Sequence, residues 1–179
     1  MNTGKKFEQQ WKNSIDRNTT YFFRIQDSPN MFSPNMDSKN IIRFTLKNPY
    51  DCFCFYKYRF FATELKSKTT QSFSFQRDGE KNKSKDIKRH PIEGLAEAAK
   101  YDGVFAGFVF NFNNEKNPCT YFLHIQDFLR FESETDKKSI SYQDIIHYGG
   151  ILIEQTLKKV NYHYNVSKFF DYLIEKERR

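Results

Sequence analysis

Residues 50–67 read YDCFCFYKYRFFATELKS, and this stretch decides the fold. Its aromatic content and lack of helical period predict two strands, joined near Tyr56-Lys57-Tyr58 without a glycine turn signal. Residues two apart in a strand point to the same face, so Glu64 and Lys66 share one face of the second strand. A strand that only fills a core needs neither charge, so this pair is a candidate for a catalytic or metal-binding site.

Asp51 begins the first of these strands, 13 residues before Glu64. If the strands form a hairpin, the carboxylates of Asp51 and Glu64 come close together beside Lys66. Mg²⁺ (or Mn²⁺) favours a few carboxylate oxygens and retains several waters. Such a metal activates water and neutralises phosphate charge, while the lysine orients the attacking water or stabilises the pentacoordinate phosphorus. The alternative is a surface charge pair, because Glu-x-Lys is common by chance.

The remaining segments predict an α/β fold with a central mixed β-sheet flanked by helices. The apolar run GVFAGFVFNF, residues 103–112, is typical of a central strand buried on both faces. We expect residues 120–126 to pair with it and residues 127–131 to be a short connector. The other predicted elements are helices at 4–16, from Pro91 to Gly103, at 141–147 and from Ser167, strands at 20–26, 41–46 and 161–166, and an ambiguous segment at 150–157.

Composition restricts the class of protein. The 179 residues predict one domain, and the formal charge of +7 indicates an anionic partner, nucleic acid or an acidic membrane face, although solubility alone would also explain it. Three cysteines, Cys52, Cys54 and Cys119, give no disulfide framework or zinc spacing. No signal peptide or long apolar run supports secretion or a membrane span, so we expect a cytoplasmic protein.

Two segments fall outside the regular elements. Residues 28–40 repeat Ser-Pro-Asn-Met and indicate an irregular loop, where Met31, Phe32 and Met36 are candidates for contact with bases. Residues 76–90 form a charged, mostly basic stretch. Its alternatives are a solvated surface loop and a grip on DNA phosphates by basic side chains. The candidate cations there, with two from the preceding strand, are Lys66, Lys68, Arg77, Lys81, Lys83, Lys85, Lys88 and Arg89.

Asp-x(n)-Glu-x-Lys is the pattern of the PD-(D/E)xK nuclease superfamily, and the chain resembles RecU-type Holliday junction resolvases in a small, phage-like version. GKKFEQQW resembles the opening helix of that family, with its glutamate at Glu8. Asp51 followed by ATELKSKTTQSFSF resembles the catalytic stretch. The segments IKRHPIEGLAEAAKYDGVFAGFVFNF, YFLHIQDFLRF and KSISYQDI, with the C-terminal VNYHYNVSKFFDYL, follow in the family order.

The resemblance implies a restriction-endonuclease-like fold and a Mg²⁺-dependent endonuclease that resolves four-way DNA junctions. It assigns metal binding to Asp51 and Glu64, assistance to Lys66 and a supporting role to Glu8. It also implies a homodimer, since symmetrical nicking takes two active sites. Residues 27–48 would form a stalk that enters the junction, and the domain would span residues 1–179.

Three departures from the family pattern stand near this site. Pro91, beside His90, replaces a metal-associated glutamine, so that contact is lost or made elsewhere, for example by Glu93. Pro49 replaces a threonine, and CFCFYKY replaces glycines after the aspartate. Two alternatives therefore remain: a non-catalytic junction- or DNA-binding protein on the same fold, and a related nuclease with another DNA substrate.

Overall fold

A computed structural model of the chain describes residues 3–26, 48–81, 84–114 and 117–177. The helices of the described part are α1 (Thr3–Ser14), α2 (Arg89–Ala98), α3 (Ile125–Glu134), α4 (Tyr142–His147) and α5 (Val166–Glu177). The strands are β1 (Tyr21–Arg24), β2 (Cys52–Tyr56), β3 (Arg59–Lys68), β4 (Ser72–Ser74), β5 (Val104–Phe112), β6 (Cys119–His124), β7 (Ser139–Ser141), β8 (Ile151–Leu152), β9 (Gln155–Lys158) and β10 (Asn161–Tyr164).

A mixed six-stranded sheet forms the centre of the fold, with strand order β1-β2-β3-β5-β6-β8. Only the β3–β5 pair within this sheet is parallel in the described part of the chain. Two small antiparallel pairs, β4–β7 and β9–β10, lie outside it. The predicted α/β class, with a mixed sheet between helices, is confirmed.

The β2–β3 hairpin has the predicted turn. Lys57 and Tyr58 have positive φ values of 46° and 62°. Two consecutive residues with positive φ suit a tight hairpin, because their twist matches that of the strands. Cys52 pairs with Thr63 across the hairpin, which places Asp51 beside Glu64. The predicted approach of the two carboxylates is therefore confirmed.

Hydrophobic cores lie on both faces of the sheet. One core joins Phe7 and Trp11 of α1, and residues of α5, to odd-numbered residues of β3 and β5. The other joins α2 and α3 to even-numbered residues of the same strands. Because alternate residues of a strand point to opposite faces, the two cores are on opposite sides. Every residue of β5 after Val104 is buried, as predicted for a central strand.

Some predicted boundaries were wrong. Residues 127–131 are not a connector but part of α3, whose Ile125, Phe128 and Phe131 are buried at helical spacing. Helix α2 begins at Arg89, two residues before Pro91, and it ends at Ala98 rather than at Gly103. The ambiguous residues 150–157 contain β8 and the start of β9. No helix in the described part of the chain has the length and apolar composition needed to cross a membrane.

The charged stretch 76–90 is anchored to the fold. The carboxylate of Asp86 accepts hydrogen bonds from the backbone and hydroxyl of Ser74 and from Nζ of Lys68, each at 2.8 Å. The next residue, Ile87, is fully buried and forms a bridge with Phe75. This part of the stretch is therefore packed structure and not a solvated loop.

Replacing Asp86 with asparagine should destabilise the protein by about 1–2 kcal/mol at neutral pH, because charge-assisted hydrogen bonds are lost. Burial raises the pKa of Asp86, but the bonds from Lys68 and Ser74 outweigh burial and hold the net pKa below its ordinary value. Its stabilising contribution is therefore present above the unfolded-state pKa and is lost as pH falls through the lower folded-state pKa. Urea titrations between pH 2.5 and 7 should show the gap between wild type and Asp86→Asn closing at the acidic end.

Candidate active site

Asp51 and Glu64 lie side by side on the sheet face that α2 covers. Their chain neighbours Cys52 and Thr63 pair across the hairpin and point to the opposite face, where Cys52 joins the core. The Oδ2 atom of Asp51 accepts a hydrogen bond of 2.8 Å from the backbone N–H of Leu65. This bond fixes the Asp51 carboxylate against β3, directly next to Glu64.

The carboxylate of Glu64 is buried, with 5 % of the residue exposed. Burial raises the pKa of Glu64 to about 7; Lys66 counteracts this shift and the negative charge of Asp51 adds to it. The Nζ atom of Lys66 lies 2.7 Å from Oε1 of Glu64. Burial lowers the pKa of Lys66, but Glu64 and Asp51 outweigh that effect and the net pKa is raised. The ammonium is thus held at the two carboxylates.

Helix α2 positions the segment that carries Asp51. Gly94 of α2 faces Pro49, two residues before Asp51. A Cβ at position 94 would lie 2.6 Å from the Cβ of Pro49 and would also overlap its carbonyl oxygen. Only a residue without a side chain allows the helix and this segment to approach so closely.

The donor set at this site fits a hard divalent cation. Among the described residues, no three histidine, cysteine or carboxylate side chains form a metal-binding group, so Asp51 and Glu64 stand as a pair. Mg²⁺ is commonly held by one or two carboxylates, with waters and substrate phosphates completing its shell. Oxygen ligands also suit Mn²⁺, whereas a structural zinc site would need four protein ligands.

Two other predicted carboxylates have ion-pair partners of their own. Glu8 of α1 forms an ion pair with Arg24 of β1 at 2.6 Å. Arg24 is opposite Cys52, on the sheet face away from Glu64. Glu93 is ion-paired with Arg89 at 3.3 Å, and its side chain is 63 % exposed. A supporting role for Glu8 stays a prediction.

The candidate DNA-binding cations differ in their surroundings. Arg77 donates to the carbonyl oxygens of Glu132 and Thr135 at 2.7 Å, and Arg89 contacts both carboxylate oxygens of Glu132 at 3.0 Å. Lys81 and Lys88 are exposed. Lys68 pairs with Asp86 at 2.8 Å, and Lys85 lies 3.8 Å from Glu80. Met31, Phe32, Met36 and Lys83 lie outside the described residues, as do the predicted strand at 41–46 and the predicted stalk except for its last residue.

The sequence reasoning missed two positions that build the site. The Leu65 backbone N–H holds Asp51, and Gly94 makes room for Pro49. A backbone donor has no sequence signature. A glycine inside a helix is a usable signal, because it costs stability and usually has a packing reason.

Replacing Gly94 with alanine should displace Pro49 and with it Asp51. Overpacking of this kind costs about 1–3 kcal/mol. We expect a lower thermal midpoint, together with loss of any activity that needs Asp51, measured on the folded fraction. Ala96→Ser on the same helix is the matched control, since Ala96 is only partly buried. An unchanged midpoint in Gly94→Ala would contradict the tight approach of α2 to Pro49.

Comparison with known proteins gives a sequence relative and a distant similarity of fold to solved structures. No protein-family model matches the chain. The chain is 34 % identical to the SPbeta prophage-derived uncharacterized protein YotM of Bacillus subtilis, over 99 % of this chain and 89 % of that protein. It is also similar in structure to Hjc of Archaeoglobus fulgidus, a Holliday junction resolvase, with 15 % identity and a TM-score of 0.42. That match covers 82 % of this chain and 88 % of Hjc.

Proposed function

The chain belongs to the same family as this prophage-derived protein of Bacillus subtilis, and we propose that it is a metal-dependent DNA endonuclease. The observation that carries the proposal is the arrangement of Asp51, Glu64 and Lys66. Two neighbouring strands bring two carboxylates and one ammonium together on one sheet face. A perturbed pKa at a carboxylate with a specific charged partner favours a functional site over a surface ion pair.

Each residue has a distinct role in phosphodiester hydrolysis. Asp51 and Glu64 hold the divalent cation, which supplies water activation and charge neutralisation when bound. The Leu65 N–H keeps the Asp51 carboxylate oriented. Lys66 places a positive charge where charge develops on the phosphate, and such a charge acts chiefly in the transition state.

The finer substrate assignment is a four-way DNA junction, cut by a homodimer in the cytoplasm of the host cell. Its support is the resemblance of the sequence to RecU-type resolvases, together with one contact. Nδ2 of Asn48 donates to the carbonyl of Gln26 at 3.0 Å, so the two ends of the predicted stalk segment meet. An arm that projects into a junction must leave and re-enter the fold at one place.

Asp51→Asn, Glu64→Gln and Lys66→Ala should each reduce cleavage by about 10²–10³-fold, because each removes a metal ligand or a charge that acts in the transition state. The assay is cleavage of a synthetic four-way junction and a linear duplex with Mg²⁺, Mn²⁺ or chelator. Glu154→Gln is the matched control, since it removes a carboxylate that also pairs with a lysine, Lys168, but on the surface.

Three outcomes of this assay separate the alternatives. Normal cleavage by both carboxylate variants would reject the assigned site. Equal cleavage of junction and duplex would favour a nuclease with another substrate. Binding of either DNA by the wild type with no cleavage in either metal would favour the non-catalytic DNA-binding protein.

The exposed lysines of the charged stretch should control the salt dependence of DNA binding. Lys81 and Lys88 are exposed and can reach phosphates, whereas Arg77 and Arg89 hydrogen-bond to Thr135 and Glu132 within the fold. Replacing Lys81 and Lys88 with glutamine should reduce the slope of log K against log salt by about 0.9 for each lost phosphate contact. Lys12 and Lys158, exposed elsewhere, form the control pair. An unchanged slope would leave the stretch without a role in binding.

A further inference from the structure

An aromatic patch covers the sheet face at the β1 edge. It consists of Tyr21 and Phe23 of β1, Phe53 and Phe55 of β2, and Phe60 of β3. Phe53 is at its centre, with ring centroids 4.7 Å from Phe60, 5.3 Å from Phe23 and 6.3 Å from Tyr21. Three of these side chains face solvent: Tyr21 is 62 % exposed, Phe23 45 % and Phe55 46 %.

The aromatic patch is continuous with the candidate active site. Asp51 directly precedes β2 and is two residues before Phe53, and extended chain advances about 6.6–6.8 Å over two residues. The register pairs Phe23 with Phe53 and Phe53 with Ala62, which is two residues before Glu64 on β3. The aromatic rings and the two carboxylates therefore share one face of the sheet as neighbouring rows.

The exposed area of the patch is small. With roughly 150–250 Å² for each ring, its three exposed side chains present on the order of 300 Å². A stable protein interface needs about 800 Å² from each partner. Less than half of that area is available, so the patch alone is too small to form a stable interface with a second copy of this chain.

The chemistry of the patch fits unpaired bases. Flat aromatic rings stack on bases of any sequence. At the hairpin end of the patch, Tyr21 and Phe55 line a cleft with Arg17 and Lys57, but Arg17 lies over the Phe22 ring and Lys57 pairs with Asp171 at 2.7 Å. A base unstacked next to a phosphate at the carboxylates would have the Phe53 row about 6.6–6.8 Å away along the same face.

We propose that the aromatic patch is a stacking surface for unpaired DNA bases that flank the phosphate held at Asp51, Glu64 and Lys66. The inference rests on the proposed nuclease function and adds the part of the substrate that the enzyme recognises. The patch selects DNA with unstacked bases, such as gaps, flaps and junction centres, over intact duplex.

The test measures binding separately from cleavage. Each patch variant is made in an Asp51→Asn background and titrated, in chelator, against single-stranded and duplex oligonucleotides that carry the fluorescent base 2-aminopurine. Changing both Phe23 and Phe55 to serine should weaken single-strand binding about tenfold or more and remove the fluorescence change, while duplex affinity stays within about twofold. Changing both to leucine, which keeps apolar area without a ring, should weaken it similarly.

Tyr172→Ser is the matched control, because Tyr172 is 49 % exposed on α5, away from the patch. Retained stacking in the serine pair would overturn the inference. Wild-type binding by the leucine pair would also overturn it. A serine pair that binds DNA normally but has a different molecular mass in light scattering would overturn it too, and would identify a protein interface. If wild type cleaves DNA but the patch variants bind normally, the stacking surface fails and the nuclease stands. If binding depends on the patch but no DNA is cleaved, the stacking surface stands and the nuclease function fails.

Discussion

The register of β3 is the constraint on which the site depends. The strand pairs antiparallel with β2 on one side and parallel with β5 on the other, from Phe60 opposite Val104 to Lys68 opposite Phe112. A slip of one residue would turn Glu64 and Lys66 into the core formed with α1 and α5, and it would turn Phe61 and Leu65 toward the face that α2 covers. The turn at Lys57 and Tyr58, and the burial of every β5 residue after Val104, together oppose that slip.

The same constraint forces a charged pair into a buried position. Burying an ion costs several kcal/mol unless a partner and further hydrogen bonds compensate. Lys66 supplies that partner for Glu64, and the net raised pKa of Glu64 shows that burial is only partly offset. Aromatic cores on both sheet faces provide the stability that tolerates this cost. The buried pair therefore lowers the stability of the fold locally, and packing elsewhere in the fold must compensate for this loss.

The hairpin and the meeting of Asp51 with Glu64 could be predicted because a strand has a period of two residues, and both follow from local sequence. Other features could not. The sequence does not predict α3, because Ile125 continues the predicted strand and Phe128 and Phe131 fit a short connector. The ion pair of Arg89 with Glu132 joins residues 43 positions apart. Phe53 and Phe60 also look like ordinary core residues in the sequence. The part of a sheet face that a helix leaves uncovered is set by tertiary packing and not by the local sequence pattern.

Helix α2 divides one sheet face into two regions with different chemistry. Where it packs, through Ile92 and Leu95, the face is dry core. Beyond it, toward β1, the face keeps its aromatic side chains in contact with water. Exposed aromatics on an edge strand favour aggregation, and natural proteins usually cover or charge such an edge. Here Asp51 and Glu64 lie at the boundary between the two regions, beside Lys66. A boundary where apolar rings, carboxylates and an ammonium meet suits a nucleotide, which has a flat base and a charged phosphate on one unit.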